Sequence, residues 1–301
     1  MSATIREILA RAVRRLEEAG VPDASWDAKE LLEWAGGPDR SRLPLSGEET
    51  LPDEAAMRFE EGLIRRERRE PLQQIVGQTW FMGLPFRVSD RVLCPRPDTE
   101  NLVELALRRV EKTEAPRILD LCCGSGCIGI SLAHFLPRAN VVLSDISEEA
   151  LALARENAAL NGVRERISFA CGDLLEASLT ETGGPLGRFD IICCNPPYIP
   201  GAEIGGLMPE VRDHEPRLAL DGGEDGLDFN RRLAADLSGR DGKNAPLSGN
   251  APADAPLPIL FLEIGCEQGP AVRVLFEQAG WRRVSVHPDL AGLDRVVVCE
   301  A

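Results

Sequence analysis

The chain has 301 residues, which suits about two domains of ordinary size. Apolar residues make up 44% and charged residues 28%, a mix that excludes wholesale disorder, a collagen-like repeat and a small disulfide scaffold. A net charge of −15 and an aromatic content of 5% argue against a general nucleic-acid binder that lacks a local basic groove.

The opening MSATIREILA carries Arg6 and Glu7 where a signal peptide needs an apolar stretch, and no apolar run approaches the ~18 residues of a membrane span. Residues 1 to about 70 read as helices. Ile5, Leu9, Val13 and Leu16 recur at helical spacing, and Gly20-Val21-Pro22 ends that element. A second helix holds Ala28, Leu31 and Leu32. A third follows Thr50 as its cap, with Pro52 in the first turn, and runs through Phe59 and Leu63. The charged stretch Arg65 to Glu70 then reads as a solvated helix end. From Ile75 to Cys94 the pattern shifts to strand-like pieces, TWFMGLPFRV and RVLC around a Ser89-Asp90 turn, which predict a β-hairpin.

Beyond about residue 100, strands alternate with helices. The predicted strands are Arg117–Leu121, Val141–Ser144, Ile167–Cys171, Phe189–Cys194, Ile259–Ile264, Val284–His287 and Arg295–Cys299. That alternation predicts a doubly wound α/β sheet, with ligands at the carboxyl ends of its strands. Residues 238–257, rich in Gly, Pro, Ser, Asn and Ala, read as a flexible surface insertion. Most of the nine cysteines sit in apolar runs, and the pairs Cys122-Cys123 and Cys193-Cys194 lack the spacer of zinc knuckles. The expectation is a reduced, cytoplasmic protein with buried thiols and no metal site.

Two stretches carry chemistry. In ILDLCCGSGCIGISLA a strand runs into a tight turn holding Gly124 and Gly126, and a helix begins near Cys127. Gly124, Gly126 and Gly129 satisfy G-x-G-x-x-G, a pattern that suits a nicotinamide or flavin enzyme equally well. Asp145 ends the next strand and can accept both hydroxyls of a ribose; the alternative is an ordinary helix cap. In DIICCNPPYIP, Asn195-Pro196-Pro197-Tyr198 follows an apolar strand. The prolines remove two backbone donors, so carbonyls can face a pocket without competing N–H groups. With the Asn195 amide oxygen and the flat Tyr198 ring, such a site suits an NH2 group; otherwise the prolines merely stop a strand.

ILDLCCGSG, Asp145, CGDLL (Cys171 to Leu175) and NPPY resemble the successive motifs of class I S-adenosylmethionine-dependent methyltransferases acting on nitrogen. NPPY is shared with adenine-amine methyltransferases. Upstream, the segment ending in Pro95-Arg96-Pro97-Asp98-Thr99-Glu100 resembles the peptide chain release factor glutamine methyltransferases, as do Glu210 to Phe229, Leu262 to Gly265 and Leu293 to Val296. Cys122 stands where that family usually has glycine, which predicts a negative φ there. The CCGSGC variant also resembles a sister subfamily acting on a ribosomal-protein glutamine.

The resemblance implies a seven-stranded, mostly parallel sheet over 98–301, an N-terminal helical bundle over 1–72 that could dock substrate, and a hairpin linker over 73–97. It implies methyl transfer from S-adenosylmethionine to the glutamine of the Gly-Gly-Gln motif of class I release factors. Cys122, Cys123, Gly124, Ser125 and Gly126 would hold the methionine part of the cofactor, Asp145 the ribose, and Asp173 and Leu174 the adenine, with Asn195 nearby. Asn195, Pro196, Pro197 and Tyr198 would bind the acceptor amide, and Asn195, Pro196 and Tyr198 would carry catalysis. The rivals are a ribosomal-protein glutamine methyltransferase, an adenine methyltransferase, which would need a basic cleft, a nicotinamide oxidoreductase, which leaves NPPY unexplained, and a non-catalytic cofactor-binding protein.

Overall fold

The computed structural model describes residues 3–110, 113–179, 189–238 and 258–300, so nearly all of the predicted 238–257 insertion lies outside the described residues. The chain forms two compact units, one of residues 1–78 with 207–214, the other of residues 79–206 with 215–301.

The first unit begins with helices α1 (Ile5–Glu18), α2 (Ala24–Trp34), α3 (Leu43–Ser46), α4 (Asp53–Glu67) and α5 (Leu72–Val76). Thr4 and Glu7 close a capping box on α1. Helix α1 buries Ile5, Ile8, Ala12 and Leu16, while Leu9 and Val13 flank that stripe half-buried. Thr50 is not the cap of α4. Pro52 occupies the cap position without a side-chain bond, and Thr50 bridges to Thr4 instead. Ile5, Leu16, Leu31, Leu32, Phe59 and Leu63 meet in one core.

The second unit follows with β1 (Gln78–Phe81), β2 (Leu84–Arg87), α6 (Glu100–Val110), β3 (Arg117–Leu121), α7 (Cys127–Phe135), β4 (Asn140–Asp145), α8 (Glu148–Leu160), β5 (Ile167–Cys171), β6 (Ser178–Leu179) and β7 (Ile191–Cys194). The chain passes through α9 (Pro209–Arg212), which belongs to the first unit. It continues as α10 (Asp228–Ser238), β8 (Ile259–Glu263), α11 (Gly269–Ala279), β9 (Arg283–Pro288) and β10 (Asp294–Glu300). The hairpin turn lies at Met82-Gly83, not Ser89-Asp90, and RVLC forms no strand. Both turn residues have positive φ (52° and 73°), as a two-residue turn matched to strand twist requires, and Glu100 Oε1 accepts the Met82 N–H at 2.6 Å.

All seven predicted strands form, joined by the two-residue edge strand β6. The order is β6-β5-β4-β3-β7-β8-β10-β9, parallel through the five central strands, with β6 antiparallel to β5 and β10 antiparallel to both its neighbours. These strands read as continuous apolar runs because both sheet faces are covered. Ile118, Leu143, Cys193 and Phe261 enter one core, and Leu119, Val142, Cys194 and Leu262 the other. The order reverses at β3, so the carboxyl ends of β3, β4 and β7 border the crevice where such sheets bind ligands.

The Arg65–Glu70 stretch is not a solvated helix end. Arg66 is 5% exposed. Its Nε donates to Asp27 Oδ2 at 2.7 Å and its Nη2 to Glu210 Oε1 at 2.9 Å, while Arg69 grips both Glu210 oxygens at 2.6 Å. Burial pushes the Asp27 carboxyl up, and Arg66 opposes that shift. Arg66→Ala leaves a buried, uncompensated carboxylate and is expected to cost about 3–5 kcal/mol of stability, read by urea unfolding.

Candidate active site

A cavity of about 750 Å³ opens where the carboxyl ends of β3, β4, β5 and β7 converge, within the range of small-molecule sites. Cys122, Cys123, Gly124 and Ser125 wall it after β3, Asp145 at the end of β4, Asp173 and Leu174 after β5, and Asn195 and Pro197 after β7. Gly126, Pro196 and Tyr198 are adjacent but do not line it. Gly126 has φ +79° and caps α7, Pro196 is buried, and the Tyr198 hydroxyl lies 3.4 Å from Glu263 Oε1.

The turn after β3 presents backbone. Gly124 has φ +52° and, apart from Val92 at 4.0 Å, open space where a Cβ would point. Cys122 departs from expectation with φ +54°. Its side chain packs half-buried against the core on one sheet face, beside the Cys194 thiol. Asp145 is not a helix cap, since Ser147 caps α8. The Asp145 oxygens accept the Gly124 and Ser147 N–H groups at 2.9 Å each. Burial pushes this carboxyl up against those bonds. Each oxygen keeps a lone pair, so the carboxylate can still take a diol. Asp173 Oδ2 accepts from Arg232 at 2.7 Å, which leaves Oδ1 as the acceptor beside Leu174.

Behind Asn195 lies a polar network that the sequence alone did not single out. Asn195 Nδ2 donates to Thr99 Oγ1 at 3.4 Å, and the hydroxyl of Thr99, 2% exposed, favours the charged form of the Glu263 carboxyl. Asp120 is wholly buried and accepts the Gly129 N–H at 2.8 Å; burial lifts its carboxyl to about 8. Arg96 bonds Glu215 at 2.6 Å on the cavity wall. Residues 215–223 pair with the chain just after Tyr198 through bonds of Ile199 to Leu220 and of Gly222 to Ile199. Gln268 Nε2 reaches the Tyr198 carbonyl at 2.9 Å and the Gly226 carbonyl at 3.2 Å. Gly226 has φ +77°, and a Cβ there would meet the Tyr198 carbonyl oxygen and lie 2.6 Å from Gln268 Nε2. Gly226→Ala is therefore expected to displace Tyr198 and lower turnover about tenfold, with a stability loss of about 1–3 kcal/mol; steady-state kinetics and thermal unfolding read the two effects.

Among the described residues no cluster of three or more His, Cys, Asp or Glu side chains could hold a metal ion, and no helix is long and apolar enough to cross a membrane.

This sheet order, with a glycine turn and an acid at the first two strand ends, is that of the class I S-adenosylmethionine-dependent methyltransferases. The hMettl16 catalytic domain, solved with a MAT2A 3'UTR hairpin, shares the fold with a TM-score of 0.54 at 15% identity, over 83% of this chain and 82% of that one. The PrmC N-terminal domain family matches residues 7–77 and the Methyltransferase small domain family residues 100–210. The release factor glutamine methyltransferase of Moorella thermoacetica is 44% identical over 97% of this chain and 96% of its own length. The protein of that name from Cereibacter sphaeroides is also 44% identical, with the same coverage of both chains. The chain belongs to the release factor glutamine methyltransferase family.

Proposed function

We propose that the protein transfers the methyl group of S-adenosylmethionine to the side-chain amide nitrogen of the glutamine in the Gly-Gly-Gln motif of class I release factors. The observation that carries this reading is Asn195, which follows β7 beside two prolines and shares one cavity with the glycine turn and Asp145. The cofactor, when bound, supplies an electrophilic methyl on a sulfonium. Cys122 to Gly126 would hold its methionine part, Asp145 its ribose, and Asp173 and Leu174 its adenine.

An amide nitrogen is a poor nucleophile because its lone pair is delocalised into the carbonyl. The Asn195 side-chain oxygen and the Pro196 carbonyl accept its two hydrogens, and Tyr198 packs beside it, so the nitrogen is aimed in line with the methyl. Proton loss follows methylation, and catalysis is positioning with fixed dipoles. The helical segment 1–72 would serve as a docking element for the release factor. Nine free cysteines fit a reducing cytoplasm.

Methyl-labelled cofactor and a purified class I release factor test the reading. Label should enter the factor and not a variant whose Gly-Gly-Gln glutamine is alanine. Equal labelling of both would defeat it.

A further inference from the structure

Glu263 ends β8 and is 1% exposed, yet it lines no part of the cavity. A buried carboxyl is costly unless it is paired or hydrogen-bonded. Two hydroxyls converge on it, those of Thr99, just before α6, and Tyr198, just after Pro197. Among the described residues its second oxygen, Oε2, is buried with no hydrogen-bond partner.

A carboxylate can only accept, so a Thr99 hydroxyl that favours the charged form of Glu263 faces it as the donor. The Thr99 oxygen is then left to accept, and it faces Asn195 Nδ2 at 3.4 Å. An amide flipped the other way would set oxygen against oxygen. The chain of donors thus runs one way, from Asn195 through Thr99 to Glu263, and leaves Asn195 Oδ1 as the end that can accept from a substrate. Both 3.4 Å contacts are long, as in sites that tighten once the substrate is held.

We propose that Glu263, acting through Thr99, is a positioning residue that fixes the Asn195 amide with its oxygen toward the acceptor and seats the Tyr198 hydroxyl at the same time. The inference deepens the proposed function and rests on Asn195 receiving the acceptor amide.

Around Glu263, Arg295 of β10 favours its charged form and Asp98 opposes it, while the Tyr198 hydroxyl bonds it and the Cys127 thiol of α7 lies within its field. Burial outweighs the bonds and lifts the carboxyl to about 7. The acceptor form is therefore lost as pH falls through neutrality, and turnover should carry an acid limb there.

Thr99→Val keeps the shape and removes the hydroxyl, and Glu263→Gln removes the titration while presenting a competing donor. Each should lower kcat about 10- to 100-fold and leave the cofactor dissociation constant within about twofold. The double variant should lose no more than the worse single one, since the two residues act as one chain. The acid limb should vanish in Glu263→Gln. Without any assay of transfer, the Asn195 side-chain NH2 resonance of isotope-labelled wild-type protein should titrate with a midpoint near neutrality, and Thr99→Val should abolish that response. Wild-type kcat in Thr99→Val, additive losses, an acid limb surviving in Glu263→Gln, or a pH-insensitive Asn195 resonance in the wild type would each overturn the proposal. Absence of methyl transfer by the wild type, with the Asn195 resonance still titrating, would instead count against the proposed function.

Discussion

Asn195→Ala is expected to lower kcat by about 10²–10³-fold, the cost of removing one preorganised polar group from a reacting centre, with cofactor affinity near wild type. The substitution deletes the side-chain oxygen at the end of β7 and leaves the strand intact, because Ile191 to Cys194 are buried and paired on both sides. Pro196 and Pro197 continue to fix the backbone, so the Pro196 carbonyl stays available and some turnover survives. Rapid-quench measurement with saturating cofactor separates the chemical step from binding. Turnover within about threefold of wild type would remove Asn195 from its assigned role, because losing a real transition-state contact costs more than that.

Asp145→Asn is expected to act on binding instead, raising the cofactor dissociation constant about 100-fold. Hydrogen bonds to a charged acceptor are worth about 1.5–3 kcal/mol each, and the variant loses the charge that would hold a ribose diol. It suffers a second defect. Both Asp145 oxygens accept backbone N–H groups, from Gly124 and Ser147, so an Asn NH2 must face one of those donors. The turn from Cys122 to Gly126 is then pushed from the position the cofactor needs. Isothermal titration with S-adenosylmethionine checks the prediction, and an unchanged affinity would dissociate Asp145 from the ribose.

The central sheet was legible because its strands are buried on both faces and so read as apolar runs of four to six residues between glycine or acidic turns. Asp145 and Asn195 were legible for a related reason: a polar residue that abruptly ends such a run stands at a carboxyl edge. The hairpin turn was not. Met82-Gly83 lacks the usual Asn-Gly signature, and the long-range bond from Met82 to Glu100 holds it in place. The burial of Arg66 within the Arg65–Glu70 stretch was not legible, because charge along a helix looks solvated until its partner is known, and Glu210 lies 144 positions away. Glu263 and Thr99 fell inside quoted motifs, yet nothing local marks which charged residue will be buried. The cost of a Cβ alone predicts a negative φ at Cys122, whereas the turn after β3 holds it at φ +54°.

Peptide-level mass spectrometry of a class I release factor after incubation with this protein and S-adenosylmethionine shows which atom receives the methyl group. One added methyl group is expected on the Gly-Gly-Gln peptide, located by fragmentation on the glutamine side-chain nitrogen and absent when Asn195→Ala replaces the wild type for the same short incubation. A methyl group on any other residue, or an unmodified peptide from protein that binds the cofactor normally, would contradict it.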